Sequence, residues 1–228
     1  MFPLGILYIV ATPIGNLEDI TFRALKILKE VDLILAEDTR ETKKLLNSYQ
    51  IKKVLLSLHQ HSGLQRYNYI LSLLNEGKNL ALVSEAGTPG ISDPGNKLIS
   101  YLLSQNKEIK IVPIPGACAL AAALSISGFP TDRFIFLGFI PQKKKRKKFL
   151  EEIIKANKAV VFYESTYRII KTLCELKDFE KVFAKNKKIM VARELTKKFE
   201  TIYRGKLGEI IEEIKKHPLK GEFVVVVS

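Results

Sequence analysis

A loop rich in glycine and proline is the part of this sequence best suited to binding a ligand. The apolar run Leu80–Val83 predicts a buried strand, and the loop that follows it, residues 84–95, contains three glycines and two prolines. Glycine lets the backbone approach a ligand closely and adopt positive φ, while proline stiffens the chain between such points. The only charged residues of the loop are the acids Glu85 and Asp93. A polyphosphate site would normally supply a cation, so this loop favours a ligand with little negative charge or with a positive centre.

Two further loops follow apolar runs in the same way. Residues 7–11 lead into residues 12–16, and residues 111–114 lead into Pro115 and Gly116. Apolar strands that alternate with amphipathic helices predict an α/β fold with a mostly parallel sheet. Ligands bind at the carboxyl ends of strands in such sheets, so we expect the three loops to form one small-molecule site.

Charged residues also follow three predicted strands and are the candidates for catalysis. Arginines could orient a substrate, and an acid could accept a proton. Structural roles are the alternative: Asp38 could cap the next helix, with Glu41 completing a capping box, and residues 164 and 168 could form an ordinary i,i+4 ion pair. The candidates are Glu37, Arg40, Glu164, Arg168, Arg193 and Glu194.

The positive charge is concentrated in the second half of the chain. The net charge is +13; residues 1–113 contribute +2 and residues 114–228 contribute +11. Such asymmetry favours contact with a polyanion. A basic run is also compatible with a solvent-exposed segment that only aids solubility, or with a nuclear localisation signal. The six residues of the basic run, which we predict to contact a nucleic acid, are Lys143, Lys144, Lys145, Arg146, Lys147 and Lys148.

The length and composition are those of a globular protein with one large or two small domains. The chain has 228 residues, of which 46% are hydrophobic, with no apolar run as long as a membrane span and no secretory signal apparent. Cys118 and Cys174 are isolated, which favours a reducing cytoplasm, and no metal-binding set is expected. His59 and His61 are more typical of a polar strand-end loop than of a ligand contact. We place an N-terminal α/β domain with the glycine-rich loops at residues 1–114 and a basic C-terminal α/β domain at residues 115–228.

Several motifs occur together in an order that resembles one known family. They are residues 11–17 (ATPIGNL), 36–40 (AEDTR), 84–95 (SEAGTPGISDPG), 113–116 (PIPG), 128–134 (GFPTDRF), 162–165 (FYES), 192–197 (ARELTK) and 220–223 (KGEF). The set, which covers the chain nearly end to end, resembles the small-subunit ribosomal RNA 2′-O-ribose methyltransferase I family, a branch of the tetrapyrrole methylase superfamily. The chain differs from the usual family pattern at Glu85, at Cys118 and at Thr166-Tyr167.

The resemblance implies a fold, a reaction and a set of cofactor contacts. It implies two α/β domains of the tetrapyrrole methylase type with S-adenosylmethionine in a cleft between them, usually in a homodimer. The substrate would be the ribose 2′-hydroxyl of a cytidine in the decoding region of bacterial 16S ribosomal RNA. The implied cofactor contacts are Pro13, Ala86, Gly87, Thr88, Ile91, Cys118, Ala119, Tyr163, Ala192, Gly221 and Glu222.

Three other functions are compatible with parts of the sequence. A methylase of a small tetrapyrrole precursor would share the fold and cofactor, but it would not need a lysine tract. A non-catalytic RNA-binding assembly factor would keep the fold without the chemistry. A nicotinamide oxidoreductase is disfavoured because Gly15 stands alone where a G-x-G-x-x-G turn would be required.

Overall fold

Strands and helices alternate along most of the chain. The computed structural model describes residues 3–93 and 95–228. The strands are β1 (Ile6–Val10), β2 (Leu33–Ala36), β3 (Val54–Ser57), β4 (Leu80–Val83), β5 (Lys110–Ile114), β6 (Phe134–Phe139), β7 (Ala159–Ser165), β8 (Ile189–Arg193), β9 (Thr201–Gly205) and β10 (Glu222–Val227). The helices are α1 (Phe22–Glu30), α2 (Thr39–Ser48), α3 (Leu64–Asn75), α4 (Gly95–Gln105), α5 (Ala119–Ser127), α6 (Arg146–Lys155), α7 (Ile169–Val182) and α8 (Leu207–Lys215).

The chain divides into two compact units, Met1–Cys118 and Ala119–Ser228, which we call the first and second units. The α/β class predicted from the sequence is confirmed, since each unit combines a five-stranded sheet with helices. Among the described residues, no helix is both long and apolar enough to span a membrane.

The sheet of the first unit is parallel throughout, in the order β3-β2-β4-β1-β5. One face packs against α3 and α4 through a cluster that includes Leu80, Ile70 and Leu98. The other face packs against α1 and α2 through a cluster that includes Ile34 and Leu28. A sheet buried on both faces requires near-continuous apolar strands, which is why β4 reads Leu-Ala-Leu-Val. Because all five strands run in one direction, the loops that follow them emerge at the same edge.

The sheet of the second unit is mixed, in the order β6-β7-β10-β8-β9. Only β6 and β7 are parallel, while the other three neighbouring pairs are antiparallel. The prediction of a mostly parallel sheet is therefore wrong for this unit. The sheet is mixed because the C-terminal strand β10 inserts between β7 and β8 and is antiparallel to both. Helices α6, α7 and α8 contribute to one core on this sheet, which includes Phe162, Leu173 and Ile211.

Candidate active site

Three loops at the carboxyl edge of the first sheet are joined by hydrogen bonds. The Thr12 and Gly87 amides each donate to the other residue's carbonyl, at 2.9 and 3.0 Å, and so join the loops after β1 and β4. The Thr88 hydroxyl donates to the Ala117 carbonyl at 3.0 Å, which adds the loop after β5. The sequence therefore predicted correctly that these loops lie together.

Glycine is required at two points where these loops approach each other. Gly87 has φ of +79°, and an added Cβ would lie 3.2 Å from the Ile14 side chain. A Cβ on Gly116 would lie 2.9 Å from the Ala11 Cβ. Side chains at these positions would push the loops apart, so the glycines keep the backbone of the site compact and exposed to a ligand.

The predicted cofactor contacts of the first unit lie in these joined loops. Pro13 follows β1, Ala86 to Thr88 and Ile91 follow β4, and Cys118 follows β5. A cavity of about 300 Å³ lies beside them, lined by Pro13, Ser84, Glu85 and residues of α2. Pro94, although part of the same loop, lies outside the described residues. The site residues of the first unit thus share one sheet edge, with a loop backbone that carries acids and no cations.

An acidic group forms at this edge from residues that are distant in sequence. Ala36 of β2 pairs with Val83 of β4, so Glu37 and Ser84 leave neighbouring strands side by side. Burial raises the pKa of Glu37 and the Glu85 carboxylate raises it further, while His59 lowers it. Burial and the Glu37 carboxylate raise the pKa of Asp93 to about 6, against a hydrogen bond from Ser84 that lowers it. A carboxyl group with a pKa near 6 is well placed to accept protons at neutral pH.

Glu37 and Arg40, both catalytic candidates, have different surroundings. Across residues 3–93 and 95–228, no hydrogen bond or ion pair to the Glu37 carboxylate occurs, so the group can interact with a ligand. Arg40 instead binds Asp38, with Nη2 2.7 Å from Oδ2. Asp38 caps α2 by accepting from the Arg40 amide, as predicted, and the hydrogen bonds from Arg40 hold the pKa of Asp38 well below its usual value. The predicted capping box is wrong, because Glu41 binds Lys44 at 2.6 Å instead.

In the second unit, Glu164 and Arg168 belong to a buried polar network. The Glu164 side chain is fully buried and lies 2.7 Å from the Arg168 guanidinium. It also accepts from the Ser165 amide and from the Thr172 hydroxyl, both at 2.8 Å. Arg168 donates in addition to the Ile140 carbonyl at 2.9 Å. These groups satisfy each other, which supports the structural alternative for this pair.

Arg193 and Glu194 also have partners within the second unit. Arg193 donates to the Lys220 carbonyl at 2.8 Å. Glu194, at φ of +51°, accepts from Lys197 at 2.9 Å and from the Glu222 amide at 3.0 Å. A Cβ on Gly221 would overlap the Glu194 carboxyl group, so only glycine fits at that turn. The turn at Gly221 and the loop after β8 are thus held together.

The other predicted cofactor contacts of the second unit differ in exposure. Ala192 is fully buried in β8, and Ala119 is the first residue of α5. Tyr163 is half-buried, with its ring edge-on to Phe136 and Phe139 at centroid distances of 5.0 and 5.5 Å. Its aromatic neighbours fix the ring in place on β7.

The basic run is not uniform, and the prediction for Arg146 is corrected by the structure. Helix α6 begins within the basic run, at Arg146. Arg146 is 8% exposed and lies 2.6 Å from Glu175, with further bonds to Thr172 and to the Pro141 carbonyl. Its charge is therefore paired with a carboxylate inside the second unit. The five lysines, Lys143, Lys144, Lys145, Lys147 and Lys148, are exposed and remain predicted RNA contacts.

The structure adds residues that the sequence did not single out for these roles. Asp93 was recognised as a loop acid but not as a proton acceptor, and its proximity to Glu37 could be inferred only from the order of the strands. Thr172 and Lys197 connect the networks of the second unit without lying at predicted strand ends. Among the described residues, no group of three or more His, Cys, Asp or Glu side chains is placed to hold a metal ion.

Comparison with known proteins identifies the family. A family model described as Tetrapyrrole (Corrin/Porphyrin) Methylases matches residues 6–211. The chain is 48% identical to a Thermotoga maritima protein named Ribosomal RNA small subunit methyltransferase I, over 99% of both chains. The Haemophilus influenzae protein of the same name is 47% identical over 98% of this chain and 78% of its own length. The chain belongs to the ribosomal RNA small subunit methyltransferase I family of tetrapyrrole methylases.

Solved structures agree with this family at the level of the fold. The methyltransferase CobJ aligns with a TM-score of 0.68 and 20% identity, covering 98% of this chain and 94% of CobJ. A uroporphyrin-III C-methyl transferase from Thermus thermophilus, solved with S-adenyl homocysteine, aligns with a TM-score of 0.64 and 17% identity, covering 98% and 97%. For this methyltransferase I family member, the predicted family, fold type, methyltransferase class and S-adenosylmethionine cofactor are confirmed.

Proposed function

We propose that this protein transfers a methyl group from S-adenosylmethionine to the ribose 2′-hydroxyl of a cytidine in the decoding region of small-subunit ribosomal RNA. The observation that carries the proposal is the 48% identity over 99% of both chains to a protein named for a small-subunit ribosomal RNA methyltransferase. The net charge of +11 on residues 114–228 supports a polyanionic substrate. A methylase of a small tetrapyrrole would gain nothing from five exposed lysines in one run.

The joined loops of the first unit fit the proposed methyl donor. When bound, S-adenosylmethionine supplies an electrophilic methyl group on a positively charged sulfur. The carboxylates of Glu85 and Asp93 favour a positive centre, and no Lys or Arg of residues 84–95 opposes it. We assign Pro13, Gly87 and Thr88 to the backbone surface that holds the donor. The other first-unit contacts in this proposal are Ala86, Ile91 and Cys118. The cofactor contacts of the second unit remain predictions; they are Ala119, Tyr163, Ala192, Gly221 and Glu222.

The chain's chemical contribution is to accept the proton that the ribose hydroxyl loses on methylation. Of the six candidates from sequence, Glu37 has a carboxylate without a hydrogen-bond partner among the described residues and a raised pKa. The negative charge of Glu37 helps to raise the pKa of Asp93, which is about 6. We assign the two carboxyl groups as a proton-accepting pair in which either can take the proton while the other remains ionised. Activity should therefore rise with pH through about 6, as Asp93 loses its proton.

Methylation of ribosomal subunits tests the function directly. The purified protein is incubated with methyl-labelled S-adenosylmethionine and small ribosomal subunits that lack native 2′-O-methylation, and the label is mapped by resistance to alkaline cleavage. Label at one cytidine is expected. Uptake of a tetrapyrrole with no RNA label would favour the small-molecule methylase, and absence of stabilisation by S-adenosylmethionine would favour a non-catalytic factor.

Variants of the carboxyl pair test the assigned chemistry. Glu37→Gln and Asp93→Asn should each lower kcat, by about 10²-fold or more for the true acceptor. The matched control is Glu30→Gln, which removes an exposed acid of α1 that pairs only loosely with Lys26 at 3.9 Å. If both site variants turn over at the rate of the control, the proton acceptor lies elsewhere.

We further infer from the family that the protein is a cytoplasmic homodimer. The free thiols of Cys118 and Cys174 fit a reducing compartment. Light scattering on the purified protein tests the oligomeric state, and a monomer at micromolar concentration would contradict the inference.

A further inference from the structure

A second cavity lies at the sheet edge that carries the glycine-rich loop. It occupies about 590 Å³ beside the loop after β3 and the first two turns of α3. This is within the range of pockets that bind small molecules or single nucleotides. The side chains that matter for its chemistry are His59, His61, Leu64, Gln65, Arg66 and Tyr69. The proposed methyl transfer assigns no role to any of them.

The lining of this cavity, which we call the α3 cavity, suits an anionic group. Arg66 is half-buried, and its guanidinium makes no hydrogen bond or ion pair in the part of the chain that the structure describes. Every other arginine discussed above is bound to a carboxylate or a carbonyl. None of the described lining residues is an acid. A partly desolvated arginine with no internal partner is available to bind a phosphate.

Aromatic rings complete the α3 cavity. Tyr69 of helix α3 is 49% exposed, and its hydroxyl has no hydrogen-bond partner among the described residues. The rings of His59 and His61 lie with centroids 6.2 Å apart. Unpaired RNA bases are typically recognised by stacking on tyrosine or histidine rings while arginine contacts the backbone. A single cavity is therefore lined by a cation suited to a phosphate and by rings suited to base stacking.

The α3 cavity is close to the proposed site of chemistry. Leu58, the first residue after β3, donates its amide to the carbonyl of Ala36, the residue directly before Glu37, at 2.8 Å. His59, which lines the cavity, also lowers the pKa of Glu37. The exits of β3 and β4 are two strand spacings apart, roughly 10 Å.

We propose that the α3 cavity binds one unpaired nucleotide of the RNA substrate, close in sequence to the methylated ribose. The base stacks on Tyr69 and the histidine rings, and the phosphate binds Arg66. The site would hold the RNA strand in register so that the target 2′-hydroxyl reaches the carboxyl pair. This inference rests on the proposed function and extends it to a specific substrate contact.

The test compares two double variants of the first unit. Arg66→Ala/Tyr69→Ala removes one cation and one ring from the α3 cavity. Phe22→Ala/Arg23→Ala likewise removes one aromatic ring and one cation, from exposed positions at the start of α1. Methylation kinetics with small ribosomal subunits, stabilisation by S-adenosylmethionine and the salt dependence of RNA binding are measured for both. The cavity variant should raise KM for the subunit about 10-fold or more, reduce the salt slope by about one, and keep the stabilisation by cofactor.

The outcomes separate this inference from the proposed function. If the wild-type protein methylates RNA and the two double variants have the same KM, the cavity assignment is overturned while the function stands. If the wild-type protein does not methylate RNA, both fall. Should the cavity variant fail to fold, ultraviolet cross-linking of the wild-type protein to subunits replaces it. Cross-links to residues 59–69 are then expected, and their absence, with cross-links elsewhere, would overturn the assignment.

Discussion

The Thr172 hydroxyl donates to the buried Glu164 carboxylate at 2.8 Å, and the same hydroxyl accepts from Arg146 at 2.8 Å. Through this one oxygen, α6, β7 and α7 share a continuous polar network. Its members at the two ends, Glu175 and Arg168, add ion pairs at 2.6 and 2.7 Å. Residues that stood out in the sequence as possible catalysts and RNA contacts thus include several whose charges stabilise the second unit.

Glu164→Ala should destabilise the protein strongly, because the partly buried Arg168 guanidinium and the fully buried Thr172 hydroxyl lose their carboxylate acceptor. Loss of one partner from a buried pair typically costs about 3–5 kcal/mol in unfolding free energy. Urea unfolding measures the change. Glu151→Ala, which breaks a partly exposed pair with Lys155 at 3.8 Å, should cost less than about 1 kcal/mol. A fully stable Glu164→Ala protein without activity would instead favour the catalytic role.

Asp93→Asn should stabilise the protein at pH 7. Burial and Glu37 raise the pKa of Asp93 from 3.8 to about 6, so the folded state binds a proton more tightly than the unfolded chain. The resulting stability is present below pH 4 and is lost as pH rises through about 6. Asparagine has no such loss, so the variant should gain about 1 kcal/mol or less at pH 7, allowing for solvent screening.

Unfolding free energies measured between pH 4 and pH 8 check this prediction. The variant's advantage over the wild type should shrink toward zero at the acidic end of that range. Asp178→Asn is the control, because its carboxylate is exposed on α7 and has no hydrogen bond or ion pair among the described residues. An advantage for Asp93→Asn that does not change with pH would contradict the electrostatic explanation.

Substitutions in the basic run should affect either RNA binding or stability, depending on the residue. Replacing Lys143, Lys144, Lys147 and Lys148 by alanine should leave the melting temperature unchanged and lower the salt slope of RNA binding by about 0.7–0.9 per lost phosphate contact. Arg146→Ala should destabilise the second unit by about 2 kcal/mol or more, because Glu175 and Thr172 lose their partner. Thermal unfolding and salt-dependent binding distinguish the two. A destabilised lysine variant, or a stable Arg146→Ala protein with a reduced salt slope, would reverse the assignments.

Gly87→Ala should weaken both the fold and donor binding. A side chain at φ of +79° costs about 1–2 kcal/mol, and its Cβ would press on Ile14 at 3.2 Å. Gly208→Ala, a change in helix α8 where the nearest atom is the flexible Lys177 ammonium group, should be neutral or stabilising by about 0.5 kcal/mol. Titration calorimetry with S-adenosylmethionine and urea unfolding check the pair. Unchanged donor affinity for Gly87→Ala would remove that loop from the proposed site.

The sequence predicted those features that depend on neighbouring residues. The apolar run of β4 and the glycines after it place the loop of residues 84–95 at a strand end, and the parallel first sheet follows from its βα alternation. The second sheet was mispredicted because the position of β10 depends on pairing with strands more than twenty residues away. The same is true of Asp93 and Glu37, which are neighbours only because β2 pairs with β4. Arg146 was misassigned since its burial depends on Glu175, which is 29 positions further along the chain.

Pro113 protects one edge of the first unit's sheet from pairing with further strands. It lies on β5, which among the described strands pairs only with β1. Because the Ala11 amide donates to the Ile114 carbonyl, Ile114 faces β1 and the backbone of Pro113 faces outward. Proline has no amide hydrogen to offer there, so an incoming strand would find a missing donor in the middle of the edge. The edge is thereby a poor template for intermolecular strand addition, and this position guards the protein against aggregation at high concentration.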